Sequence, residues 1–377
     1  MLRDGGLQAV VIGTPMPFHV AQAVQALDAG VHVLCEVTAG VSVAECKELV
    51  LAASHSGAVY MLAENLNYDR SCIAVNGLVD GGRLGKVYYA EGEYLHNVRG
   101  LAETTPWRRH WQMGIRGLTY CTHALGPIMR WFKGDRVVRV CCEDGGSHYL
   151  DADGEPFAGD SAVMLAKTEQ GRLIKIRVDL TSNRPYGADK TPPRPFRPWT
   201  FPQCLRADLP CTVPAQLLFL RGAEGPQRRA RTALAGMNFE LQGTHGAVEI
   251  SNSSGAGGWG QGRLAIDGSG EGHEEWQDLA PWMATADADA VLPPEHRQGS
   301  AEFEQATRSG HNGSDFYVTA TFLAACRGEA KEAVGIHEAM DMTLPGLVSQ
   351  DSAAADGAWL EVPNSRDWVA TTSAPKL

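Results

Sequence analysis

A chain of 377 residues, 44% of them apolar and 20% charged, lies in the globular range and is long enough to build two cores. Its net charge of -11 would repel a phosphate backbone, and no basic run interleaved with aromatics offsets it, so nucleic acid is excluded as a partner. No run of about 18 apolar residues exists to span a membrane, and nine scattered cysteines without a C-x-x-C pair point to a reducing, cytoplasmic setting with neither disulfides nor a metal site.

The start, Met1-Leu-Arg-Asp-Gly-Gly, lacks the apolar core of a signal peptide, although an export signal upstream of Met1 stays open. Leu7 to Gly13 is an apolar run ending at Thr14-Pro15, the pattern of a strand buried on both faces. Ala21, Val24, Ala26 and Leu27 then share one helical face, Gly30 supplies a C-terminal stop, and Val31 to Cys35 forms a second apolar strand. Ser42-Val-Ala-Glu45 is a capping box, in which the serine hydroxyl takes the Glu45 N–H and the Glu45 carboxylate reaches back to Ser42. It predicts a helix from Val43 to near Gly57, and Ala58 to Ala63 makes a third strand. Strands alternating with capped helices specify a parallel sheet with crossover connections.

After about residue 85 the pattern becomes strands separated by turn signals: Val87 to Leu95, Val137 to Cys142, Ser161 to Lys167, Leu173 to Leu180 and Phe239 to Gln242. These predict a mostly antiparallel open sheet, with helices over about Thr122 to Phe132, Asp315 to Arg327 and Ile336 to Ala353 covering one face. The uncovered face leaves room for self-association. The fold class is therefore α/β plus α+β, an incomplete Rossmann-type sheet over residues 1–70 followed by a substrate domain over 71–377. Residues 188–235, crowded with proline and arginine, follow no strand period; they read as an insertion, either disordered or wrongly translated, and carry no assigned chemistry.

Gly255-Ala-Gly257-Gly258-Trp-Gly260 matches G-x-G-x-x-G by letter, but no strand enters it and no helix leaves it, so it lacks the helix N-terminus that holds a pyrophosphate. The true fingerprint belongs before the first strand. The three strands then stand as 4-5-6 of a 3-2-1-4-5-6 sheet, the chain reads as N-terminally truncated, and Ala9 to Ile12 is expected to be a bare apolar edge.

Gly13-Thr14-Pro15-Met-Pro-Phe-His19, His32-Val-Leu-Cys-Glu36, Ala63-Glu64-Asn65 and Tyr120-Cys-Thr-His123-Ala-Leu-Gly126-Pro127 together resemble, in order and spacing, the motifs of the Gfo/Idh/MocA (glucose-fructose oxidoreductase / inositol dehydrogenase) family. The resemblance covers nearly the whole chain apart from the insertion. It implies an NAD cofactor, with NADP left open, bordered by Thr14, Pro15 and His19, with Glu36 on the ribose hydroxyls and Asn65 facing the nicotinamide. Two departures stand out. Val37 and Thr38 occupy the lysine and proline of the family's Glu-Lys-Pro, and Thr119 occupies the aspartate four residues before the catalytic histidine. Alcohol oxidation needs a base of tuned pKa, and valine is none.

The branch lacking that lysine is similar to the NAD-dependent α-N-acetylgalactosaminidases, which implies transient C3 oxidation of a sugar, elimination, hydration and return of the hydride. Tyr120 and His123, one turn apart at a helix start, are the candidates for proton transfer. Tyr68, Arg70 and His96 are candidates to line a pocket for a carbohydrate, with Arg70 equally readable as a surface ion pair. Ser309 to Asp315 resembles the family's late Gly-His-Gly-Gly-x-Asp segment, which brings His311 to the pocket and leaves Asp315 either there or as a helix cap. The expected function is hydride transfer on a sugar or polyol; the alternatives are the glycosidase chemistry and a non-catalytic member that has lost cofactor binding.

Overall fold

The computed structural model describes residues 6–183, 217–220, 236–251, 262–267 and 275–370. Strands β1 (Ala9–Ile12), β2 (His32–Cys35) and β3 (Tyr60–Leu62) are parallel neighbours, Ala9 opposite His32 and Val33 opposite Tyr60. Helix α1 (His19–Asp28) ends where expected: Gly30 takes φ +72°, Val31 N–H donates to Ala26 O at 2.9 Å and Gly30 N–H to Leu27 O at 3.0 Å. This pair of bonds is the glycine-dependent closure that satisfies the last carbonyls of a helix. Helix α2 (Val43–His55) starts on Ser42, whose hydroxyl accepts the Glu45 N–H at 3.2 Å; the Glu45 carboxylate reaches one residue further back than expected, to Val41 N–H at 3.1 Å.

Helix α3 (Arg70–Asp80), which the apolar periodicity does not announce, begins on Asp69, whose carboxylate accepts the N–H groups of Ser71 and Cys72. The next strand, β4 (Val87–Leu95), opens the second sheet. Two short helices, α4 (Arg99–Thr104) and α5 (Pro106–Trp111), lead to α6 (Thr122–Trp131) and to strands β5 (Val137–Asp144), β6 (Ser161–Thr168) and β7 (Leu173–Asp179).

Strand β8 (Leu217–Leu220) pairs in parallel with β1, Ala9 opposite Leu217. This corrects two expectations at once. The edge of β1 is paired rather than bare, and the strand that pairs it comes from the segment read as an insertion without a strand period. Leu217-Leu-Phe-Leu220 is itself a four-residue apolar run, the pattern of a strand in a buried parallel sheet. The rest of residues 188–235 lies outside the described residues.

Strands β9 (Gly236–Gly243), β10 (Gly246–Ser251), β11 (Gly262–Ile266), β12 (Gln277–Asp278) and β13 (Leu360–Glu361) complete a nine-stranded sheet of order β12-β11-β10-β9-β4-β7-β6-β5-β13. It is antiparallel except for the parallel β4/β7 pair at its centre. Three short helices, α7 (Leu279–Trp282), α8 (Ala286–Val291) and α9 (Ala301–Ala306), precede α10 (Ser314–Cys326), α11 (Ile336–Ala354) and α12 (Ser365–Ala370). None of the described helices is long and apolar enough to cross a membrane.

Three contacts place the two sheets relative to each other. Helix α6 seats Ala124 and Ile128 against β4 at Gly92, where a Cβ would stand 2.4 Å from Ala124 O. Helix α11 packs on β5, α6 and α2. Helix α10, late in the chain, returns to the first sheet and buries Phe316, Val318 and Phe322 against Val11, Leu34 and Met61, opposite the face that α1 and α2 cover. The parallel strands are thus buried on both faces, and their carboxyl ends open toward α6 and the start of α10.

Candidate functional site

The residues that leave the carboxyl ends of β2 and β3 meet residues from β4, α5, α6 and α10 at one cleft. Its wall includes Glu36, Asn65, Tyr94, His96, Arg108, Tyr120, His123, His311 and Asp315. This is the position at which open parallel sheets bind their ligands.

His123 stands in the first turn of α6, and its Nδ1 lies 2.9 Å from Oε1 of Glu64. That carboxylate is wholly enclosed; the same oxygen accepts Leu66 N–H at 3.2 Å, and Oε2 has no hydrogen-bond partner among the described residues. The His123 ring packs against Tyr94 (centroids 5.1 Å apart) and Tyr120 (5.2 Å). The Tyr94 hydroxyl lies 2.8 Å from Nδ1 of His96. Burial, with the nearby His123 and Arg108, pushes His96 down to about 4, so its ring is neutral at physiological pH. Burial also raises the Tyr120 phenol, assisted by the Glu36 and Glu64 carboxylates and opposed by Arg108.

Glu36 is pushed up to about 7, first by burial and then by the Asp315 and Glu64 carboxylates, against the opposing pull of His123 and His311. Beside it, His311 Nδ1 lies 2.9 and 3.0 Å from the two oxygens of Asp315. Desolvation disfavours the His311 cation, yet this ion pair leaves the net shift upward. His311 holds a left-handed backbone, φ +46°, of the kind that concentrates at functional sites, and Asp315 lies within the first turn of α10 rather than capping it. Arg108 gives one N–H to Gln112 Oε1 at 3.0 Å while its buried Nε has no hydrogen-bond partner among the described residues.

The structure therefore brings Glu36, Asn65, His96, Tyr120, His123 and His311 to one place. Other candidates stand outside it. Thr14 follows β1 but turns its hydroxyl to Gln22 Oε1 at 2.8 Å. His19 is enclosed, with Nδ1 2.7 Å from Thr38 O and Nε2 2.8 Å from Thr14 O; it ties the loops after β1 and β2 together and presents no ring nitrogen to a ligand. Pro15 opens the short turn Met16–Phe18. Tyr68 is buried against α10, below the Arg130 guanidinium, because its turn faces the sheet core. Arg70 lies outside this wall and forms no ion pair among the described residues; it donates to His296 O at 3.3 Å and Met283 O at 3.1 Å, clasping α3 to the α7–α9 segment. The 255–260 glycine loop lies outside the described residues.

The two departures have structural partners of their own. Val37 is buried in the core of the parallel sheet, and Thr119, also buried, accepts Gln350 Nε2 at 2.8 Å from α11. Sequence reasoning gave Glu64 no role and passed over Tyr94 and Arg108. Alternation along β4, which turns Tyr94 inward two residues before His96, was the available signal for Tyr94.

Residues 1–64 match the family GFO_IDH_MocA, "Oxidoreductase family, NAD-binding Rossmann fold". A Glycosyl hydrolase family 109 protein of Saccharopolyspora erythraea is 31% identical over 207 residues, 49% of this chain and 45% of that protein. An alpha-N-acetylgalactosaminidase of Shewanella oneidensis is 30% identical over the same length, again covering 45% of the relative. The chain thus spans about half the length of the curated relatives it matches. Among solved structures, a levoglucosan dehydrogenase in complex with NADH and levoglucosan superposes with a TM-score of 0.65 at 14% identity, covering 96% of this chain and 82% of that one. An inositol dehydrogenase homolog from Azotobacter vinelandii, complexed with NADH and myo-inositol, gives 0.60 at 16%, covering 94% and 78%. Residues 1–64 thus match that family's model, and the chain shares the fold of these two solved structures.

Proposed function

We propose that this chain belongs to an NAD-dependent enzyme that transfers hydride to and from a carbohydrate. The observation that carries the reading is the convergence of Glu36 and Asn65, from the carboxyl ends of two parallel strands, with Tyr120 and His123 from the start of α6. The residues suit the cofactor's nicotinamide end. Among the described residues Asn65 Oδ1 is buried without a hydrogen-bond partner, an acceptor for a carboxamide N–H, and the Glu36 carboxylate offers two acceptors to a ribose diol. Bound there, NAD supplies the two-electron acceptor that no side chain provides.

The chain's own residues handle protons. His123 takes the hydroxyl proton of the carbon being oxidised, the role that Val37 cannot fill. Tyr120, whose phenol burial holds in the protonated form, donates to a substrate oxygen. Tyr94 and His96, coupled through one hydrogen bond, offer a rigid polar edge to sugar hydroxyls.

A second reading, redox-assisted glycoside cleavage, is favoured by the valine at the lysine position and by relatives named for glycoside hydrolysis. There a ketone at C3 acidifies the C2 proton, the aglycone leaves, water adds, and NAD is regenerated. Incubating the full chain and NAD with polyols and with an aryl N-acetyl-α-galactosaminide in deuterated water separates the two. Net NADH identifies a dehydrogenase; aglycone release without net NADH, with deuterium at C2, identifies the glycosidase. Saturable NAD binding with neither product on any sugar would refute both.

A further inference from the structure

We propose that Glu64 is the positioning residue for proton transfer: its enclosed carboxylate holds His123 as the Nδ1–H tautomer and so points the Nε2 lone pair into the cleft. This rests on the reading of His123 as the base. A carboxylate only accepts hydrogen bonds, so a ring nitrogen 2.9 Å from Oε1 must carry the proton, which leaves the other nitrogen free to take one.

Two further observations support the assignment. Oε2 of Glu64 is buried without a hydrogen-bond partner among the described residues, a costly arrangement that an apolar residue would relieve if only packing were at stake. Gly126, three residues after His123 in α6, is a poor helix former in a helix that is otherwise well packed. A Cβ there would stand 2.7 Å from Glu64 Cγ and 3.2 Å from Asn67 Oδ1, so the missing side chain is the passage through which the carboxylate reaches the imidazole.

The test is the tautomer of His123 in the full chain, read from its 15N ring shifts at a pH where the ring is neutral and assigned by loss of the signal in His123→Gln. Wild type should show Nδ1 protonated and Nε2 bare. Glu64→Gln, whose amide can donate to Nδ1, should move the ring toward the Nε2–H form and lower kcat by at least about tenfold with KM within about threefold. Gly126→Ala should shift the tautomer in the same direction while leaving residue 64 a glutamate. A wild-type ring protonated on Nε2, or a tautomer and kcat unchanged in Glu64→Gln, would overturn the proposal. Correct tautomer behaviour in a protein that turns over no carbohydrate would leave the Glu64 assignment standing and remove the function built on it.

Discussion

The two walls of the cleft are built in different ways. On one side, Glu36 follows directly on β2 and Asn65 opens the short turn that follows β3, so a strand end and a tight turn set their positions. On the other, Tyr94, Arg108, Tyr120 and His123 come from a strand, a short helix, a loop and a longer helix that packing alone brings together. The first wall is a local consequence of sequence; the second depends on the seating of α6 against β4 and of α11 behind the Tyr120 loop, where Ser349 Oγ accepts Leu118 N–H at 2.8 Å. In the proposed function, cofactor binding falls to the first wall and proton transfer to the second.

Substitutions should separate the walls. His123→Ala removes the base and should lower kcat by about 10²–10⁴ while NAD affinity, read by tryptophan quenching, stays within about threefold of wild type. Glu36→Gln should do the reverse. Loss of a charged acceptor should weaken NAD about 10–100-fold with a smaller effect on kcat at saturation. Because Glu36 is pushed up to about 7, wild-type affinity should fall as pH drops through that value, whereas Glu36→Gln should be flat. The sign reverses for stability. A carboxyl raised in the folded state favours folding in its protonated form, so wild type should lose stability relative to Glu36→Gln as pH rises from about 5 to about 8, measured as Tm.

Changes in the scaffold should be smaller and should respect the same division. Gly92→Ala puts a Cβ 2.4 Å from Ala124 O and should cost about 1–3 kcal/mol in urea unfolding, with kcat falling because α6 carries His123. Ser42→Ala removes the α2 cap and should cost about 1 kcal/mol with both walls untouched.

The same division governs how much was legible in the sequence. The β1–α1–β2–α2–β3 order follows from apolar runs, Gly30 and the Ser42 cap, since each is decided by neighbours in the chain. Glu36 and Asn65 were singled out by the family resemblance of the motifs that follow those strands, and the structure places both in the cleft wall. The pairing of β8 with β1 was missed because it joins segments some two hundred residues apart through backbone groups. Glu64 was visible only as part of a motif, since nothing local says that its carboxylate ends against a histidine 59 positions later. Tyr68 and Arg70 were misplaced for a related reason: the turn after β3 sends them into the sheet core and toward α7–α9, away from Asn65 a few residues earlier.

The central claim is that the two walls act on one substrate in one cleft. It is tested most directly by single-turnover mixing of the NAD-loaded full chain with carbohydrate, followed at 340 nm in wild type and His123→Ala. A rise in wild type that slows at least about 100-fold in His123→Ala at equal NAD occupancy is the predicted result. An equal rate in both proteins, or no rise in wild type across polyols and N-acetylgalactosaminides despite bound NAD, would contradict it.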